Sequence, residues 1–226
     1  MKRVLFFLSL AIILSIIACG DSDDPIGPSS GNDSEFYPLA VGNTWLYDCS
    51  GTINAGGIDV GTITGKTETE ITGIETHSEG FDVYVQENTV TDTTVISGQT
   101  YITDSTFTDY IRITDSGFYG YPRLTDTDSS YSVPFPLESG SMWVFAEEPP
   151  TNGEILTMSA SVNVIAGYFE DCMEMRTIWT DSSTSGIVMN TSDFARNVGR
   201  VRNVLSITAG TATTTYVHEL ETYSFN

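Results

Sequence analysis

The sequence predicts an all-β body: an antiparallel, strongly curved sheet, half-barrel or β-sandwich of about a dozen strands, after an N-terminal signal helix. Three observations predict it. From residue 36 onward Thr, Tyr, Val and Ile dominate, and no segment keeps a helical apolar period through three turns. Short extended segments recur at close spacing, with Gly-containing turns between them. A ten-residue pattern occurs twice, at 38–47 and 136–145, each copy reading P-L-x-x-G-x-x-W-x-aromatic.

Residues 1–18 open with Lys2 and Arg3 and continue as an uncharged run from Val4 to Ala18. A spanning helix needs about 20 apolar residues, so this run is short for a permanent anchor. A basic start, a short apolar centre and small residues before a cut describe a secretory signal. The end of the run, Ile16-Ile17-Ala18-Cys19, resembles the lipobox of bacterial lipoproteins. That resemblance implies cleavage before Cys19, lipid on the cysteine, and a place in the cell envelope tied to a membrane. Two or more chains hold such an anchor stably. Gly20 lacks the Asp that retains many enterobacterial lipoproteins at the inner membrane. In a Gram-negative envelope this implies the outer membrane, at its periplasmic face or the cell surface.

Residues 19–35 follow as the lipidated cysteine and a tether rich in Gly, Ser, Pro and Asp, with Ile26 as its one large aliphatic side chain. Such a segment cannot bury a core, and it predicts a flexible acidic link. Residues 36–226 form a single β domain by length. Cleavage leaves seven basic against 30 acidic side chains, a formal charge of −23. That charge repels phosphate backbones and anionic headgroups, which argues against nucleic acid and against a basic membrane patch.

Within the body, 63–71 reads as an exposed or edge strand and 81–86 alternates with period two. Segments 94–97, 101–104, 110–114 and 118–121 continue as a meander, turned by Ser97-Gly98 and Ser116-Gly117. A second set covers 142–146, 155–165, 172–180, 186–189, 200–208 and 213–223, its last pair turned by Ala209-Gly210. In each copy of the repeat, Pro presets an extended approach and Gly permits a tight turn. Trp45 with Tyr47, and Trp143 with Phe145, then share a strand face. Each indole can bury over ~150 Å² and fasten its strand to the core. The alternative is that Trp45, Trp143 and Trp179 form a ligand platform.

Two cysteines remain in the body, Cys49 and Cys172. They form either a disulfide, which the envelope permits, or two buried thiols. They are too far apart for a redox CxxC and too few for a metal cluster. His77 falls in a turn. His218 opens His218-Glu219-Leu220-Glu221-Thr222, where Thr222 stands in place of the second histidine of a zinc-protease helix. No Gly-x-Ser-x-Gly elbow, Ser-x-x-Lys pair or phosphate-cradling Gly loop occurs. The expectation is a non-enzymatic chain with no catalytic residues, metal or cofactor. Asp126-Thr127-Asp128-Ser129-Ser130 reads as a polar turn without the Gly and distal Glu of a calcium loop. Arg196, Arg200 and Arg202 form a basic cluster expected to pair with carboxylates.

Phe36-Tyr37-Pro38-Leu39-x-x-Gly42-Asn43-x-Trp45-x-Tyr47 resembles the opening of the TapB-like group of bacterial extracytoplasmic lipoproteins. Residues 164–172 resemble that group's Ala-Gly-Thr-Phe-x-x-Cys segment, with Tyr168 in place of Thr. Residues 194–201 resemble its Ala-Pro-Gly-Val-Gly-x-Val segment, with Arg196-Asn197 in place of Pro-Gly. The resemblance implies a curved β sheet like that of periplasmic lipoprotein carriers and supplies no catalytic residues. The functional expectation is a lipid-anchored protein that binds an apolar ligand or an envelope partner. The alternative is a surface carbohydrate-binding or adhesive module, with the tryptophans stacking on sugars.

Overall fold

A computed structural model describes residues 32–147, 150–181 and 186–226. The signal, Cys19 and the first part of the tether lie outside the described residues. The described residues form one antiparallel sheet of twelve strands. The first six are β1 (Thr44–Ala55), β2 (Ile58–Thr76), β3 (Asp82–Ile96), β4 (Gln99–Thr114), β5 (Gly117–Tyr121) and β6 (Tyr131–Pro134). The second six are β7 (Met142–Glu147), β8 (Pro150–Val164), β9 (Gly167–Asp181), β10 (Gly186–Ala195), β11 (Gly199–Ala209) and β12 (Ala212–Ser224). A short 3-10 turn, Asn32–Phe36, precedes them.

Strand order runs β6-β5-β4-β3-β2-β1-β12-β11-β10-β9-β8-β7. Each half is therefore a meander, and the halves join through β1 and β12. Along β1, Trp45, Tyr47 and Cys49 are buried while their neighbours are more exposed, and β2, β3, β11 and β12 alternate in the same way. A single sheet with one apolar face has no second layer to cover it, so the sheet must curl on itself. Register shifts at Leu46/Tyr47, Ile71/Gly73 and Asp193/Phe194 add the local bend and twist that this curling needs. The outcome is a nearly closed barrel, the half-barrel alternative of the sequence reading rather than the sandwich.

Among the described residues, three buried clusters line the interior. One gathers Phe36, Tyr37, Ile113, Phe118, Ile155, Met173 and Phe194 near the 3-10 turn. A second holds Trp45, Tyr47, Ile71, Val162, Val201 and Leu220. A third, at the far end, joins Ile63 of β2 to Trp179, Val188, Leu205 and Tyr216 of the other half. The 3-10 turn plugs the near end. Phe36 is fully buried, Tyr37 stacks on Phe118 at 4.2 Å, and Asp33 accepts a bond from the Leu137 amide at 3.0 Å.

The sequence repeat is a structural repeat. Gly42 and Gly140 take φ of +89° and +85°. The Gly42 amide donates to Ile71 O at 2.7 Å, and Gly140 donates to Ile155 O at the same distance. Ile71 and Ile155 return bonds to Asn43 O and Ser141 O, both at 2.9 Å. The two copies thus start β1 and β7 and dock each on the next strand by the same bonds. Only glycine takes such a φ without strain.

Two expected strand pairs are longer than the sequence suggested. Segments 81–86 and 94–97 belong to one strand, β3, and 101–104 and 110–114 to another, β4. The intervening residues are mostly polar, yet Asn88 and Asp92 face inward with Val90.

Candidate functional site: a buried polar row

Backbone register places side chains of one face side by side across the barrel. Asp92 of β3 lies opposite Gly65 of β2, Gly65 opposite Cys49 of β1, and Cys49 opposite His218 of β12. The row continues through Asn203 of β11 to Ser192 of β10. Asp92, Cys49, His218, Asn203 and Ser192 are all buried. Gly65 gives this row its space, because a Cβ there would collide with the Asp92 carboxylate and the Thr91 carbonyl.

The contacts within the row are specific. The Cys49 thiol sits 3.4 Å from Thr67 Oγ1 and 3.5 Å from His218 Nδ1. Asn203 donates to Ser192 Oγ at 2.8 Å and also to Asn190. Four residues further along the same two strands, Thr69 of β2 donates to Asn88 Oδ1 of β3 at 2.9 Å, and Asn88 donates to Asp109 Oδ2 of β4 at 3.1 Å. Asp92 Oδ1 is buried without a hydrogen-bond partner. Such an atom costs roughly 1–3 kcal/mol unless a group from outside the chain meets it.

Burial sets the charge states. It raises Asp92 to about 6 and Asp109 to about 6, the latter against the pull of Arg200 and Asn88. It raises the Cys49 thiol to about 11, opposed by the Thr67 hydrogen bond. It lowers His218 to about 4, helped by the Arg200 charge. Thiol and imidazole are therefore both neutral near pH 7. A nucleophilic cysteine needs the opposite arrangement, thiolate beside imidazolium. Among the described residues no group of three or more His, Cys, Asp or Glu side chains is placed to hold a metal ion. The row can donate and accept hydrogen bonds, and Asp92 can ionise within an apolar surround.

The other sequence candidates fall elsewhere. Cys49 and Cys172 are free, buried thiols, so of the two alternatives the structure has the unbonded one. Cys49 meets Thr67 and His218, whereas Cys172 lies in the second cluster near Glu170 O at 3.9 Å. Trp45 and Trp179 are core side chains. Trp45 Nε1 donates to Val198 O at 2.6 Å. Trp143 is half-buried against the first cluster, and its Nε1 donates to Ser132 O at 2.8 Å. The three do not form an exposed row. His77 lies in the expected turn but is buried, stacked on Phe81 at 4.4 Å. Arg196 pairs with Glu35 at 3.3 Å and Arg202 with Asp193 at 2.7 Å. Arg200 departs from the expectation and lies over the Tyr47 ring at 5.0 Å.

The polar row escaped sequence reasoning because its members are 11 to 169 residues apart and meet only through register. The usable signal was polar residues at inward positions of alternating strands, above all Asp92 between Val90 and Thr94.

No family model matches the chain, and no curated protein matches it. Solved structures align with it at low identity. A protein of YmcC-like fold from Bacteroides fragilis, described as exported, aligns at TM-score 0.48 and 14% identity, covering 84% of this chain and 99% of that one. A protein from Parabacteroides distasonis, described as a lipoprotein, aligns at 0.40 and 15%, covering 84% and 98%. A β-barrel-like protein of unknown function (DUF1849) from Brucella abortus aligns at 0.38 and 10%, covering 82% and 98%.

Proposed function

We propose that this chain is a lipid-anchored protein of the cell envelope that binds a small amphipathic ligand inside its barrel and does not transform it. The observation that carries the reading is the unpartnered Asp92 oxygen, buried in a polar row between apolar clusters. A ligand's polar group would meet Asp92, Cys49, His218 and Asn203, and its apolar part would pack on the aromatic clusters. A buried polar group of this kind fixes orientation in a site whose walls are otherwise apolar. The neutral Cys49–His218 pair supports binding rather than covalent chemistry. Anchoring rests on the lipobox resemblance at Cys19 and gives an envelope location, the outer membrane in a Gram-negative cell. The sugar-binding alternative loses support, since its three tryptophans are committed to the core and to Ser132.

Native mass spectrometry of the protein purified gently from its own membranes tests this reading. The expected result is a copurifying small-molecule mass that is lost in Asp92→Asn. Protein that carries no such mass, or the same mass in Asp92→Asn, removes the interior site. Separately, Cys19→Ala should leave the membrane fraction. Its retention there would remove the anchor.

A further inference from the structure

The barrel has two unlike ends. One is formed by the turns β1–β2, β3–β4 and β11–β12. The other is formed by the 3-10 turn, the turns β8–β9 and β10–β11, and the C-terminal residues. Here the Asn197 amide donates to Glu35 O at 2.6 Å, Ala166 donates to Leu220 O at 2.8 Å, and Asn226 donates to Asn43 Oδ1 at 3.2 Å. All three exposed aromatic side chains among the described residues lie at this second end: Tyr168 at 61%, Tyr223 at 42% and Phe225 at 37%. Tyr223 and Phe225 are 5.2 Å apart, and Phe225 packs edge-on against Trp45 at 5.7 Å. Ile165, in the β8–β9 turn, and Val41, just before β1, are exposed at the same end. Among the described residues, the exposed large hydrophobic side chains toward the far end, Ile58, Ile102 and Ile187, are aliphatic.

The chain outside the structure ends at the aromatic rim. Thirteen peptide steps separate Cys19 from Asn32, a contour of at most about 45 Å. A strand of 15 residues such as β3 is itself about 50 Å long. Lipid on Cys19 therefore holds the 3-10 end near the bilayer and the hairpin end away from it. Tyr and Trp favour the headgroup layer, where an apolar ring and a polar tip are both satisfied. Exposed Glu70, Glu75 and Glu138 flank the rim, so the matching surface is zwitterionic.

We propose that the rim carrying Val41, Ile165, Tyr168, Tyr223 and Phe225 rests in the headgroup layer of the bilayer that holds Cys19. This rests on the lipid-anchor reading and adds a fixed orientation, with the far end pointing away from the membrane. Contact is made by rings and aliphatic side chains rather than by basic residues, so it is insensitive to salt.

The test uses full-length lipidated protein in phosphatidylcholine–phosphatidylethanolamine vesicles. Single cysteines replace Tyr168, Tyr223, Ile58 or Ile102 and carry an environment-sensitive fluorophore. Cys49 and Cys172 are buried and react slowly, and the unsubstituted protein serves as the control. The expected result is a blue shift and at least twofold quenching by bilayer-borne quenchers at positions 168 and 223, unchanged at 0.5 M salt, with positions 58 and 102 unquenched. Vesicle-bound protein whose two ends are equally unquenched overturns the orientation and leaves the anchor standing. Protein that does not associate with vesicles overturns both.

Discussion

At the junction of β1 with β12, twelve residue pairs run from Thr44–Ser224 to Ala55–Ala212. At the junction of β6 with β7 no ladder forms among the described residues, and both strands end the sheet. The structural repeat makes these junctions equivalent, since β1 and β7 begin with the same motif. Yet one is zipped by backbone and the other is bridged by side chains. Trp143 reaches the Ser132 carbonyl, and Tyr131 meets Phe145 at 5.7 Å. The length of the partner explains the difference. β12 offers thirteen residues to β1, whereas β6 has four and ends at Pro134, which lacks an amide donor. Trp45, next to a backbone ladder, is free to bond Val198 instead. The same local motif therefore plays a core role at one junction and a bridging role at the other. Short edges with proline also blunt the open junction against pairing with other chains.

The sharpest way to break this comparison is to truncate the two equivalent tryptophans. Trp45→Ala should cost about 3–5 kcal/mol in urea unfolding, as for a fully buried aromatic. Trp143→Ala should cost about 1–3 kcal/mol, because its ring is half-exposed and it bridges rather than fills. Equal costs would show that the two junctions share their load.

Gly153→Ala probes the open junction alone. Gly153 lies opposite Trp143, and an added methyl would occupy the space of the indole ring. The expected loss is about 1–3 kcal/mol. It should come with a red-shifted tryptophan emission as the ring moves toward water. Unchanged emission would mean that the seam accommodates the methyl without moving Trp143.

The closed junction carries the ionisable row, so pH should act there. Asp92 has a folded pKa raised to about 6 by burial, from an ordinary value near 3.8. The folded state binds more protons than the unfolded chain between these values, so this carboxyl lowers stability as pH rises from 4 to 6. His218, lowered to about 4, works in the opposite direction over pH 4 to 6.5. Asp92→Asn should therefore stabilise the fold by about 1–3 kcal/mol at pH 7.5 and change little at pH 4. A gain of the same size at both pH values would assign the effect to packing rather than charge.

The sequence made much of this visible and hid the rest for physical reasons. The all-β class and the curved sheet were legible because Thr, Val, Ile and Tyr follow strand periodicity. The repeat was legible because Gly42 and Gly140 are needed for their φ and the tryptophans for their burial. Strand β3 was read in fragments because Asn88 and Asp92, which interrupt its apolar pattern, face the interior, and β4 because its outer half is polar and largely exposed. The asymmetry of the two junctions was not legible, since register and strand length around Ser132 are tertiary outcomes. Nor was Arg200, whose neighbours suggested a carboxylate partner and whose guanidinium instead covers Tyr47.

The pairing of β1 with β12 brings the two ends of the described chain together, with the Asn226 amide on the Asn43 side chain. Among the described residues it is also the only strand pairing that joins elements far apart in sequence. If the ends were linked and the chain opened between Pro134 and Met142, β7 would come first and β6 last. Every strand would then pair only with its neighbour in sequence. The native order instead spends loop-closure entropy on one contact between the chain's first and last strands. The barrel is, in this sense, a simple meander read from its middle.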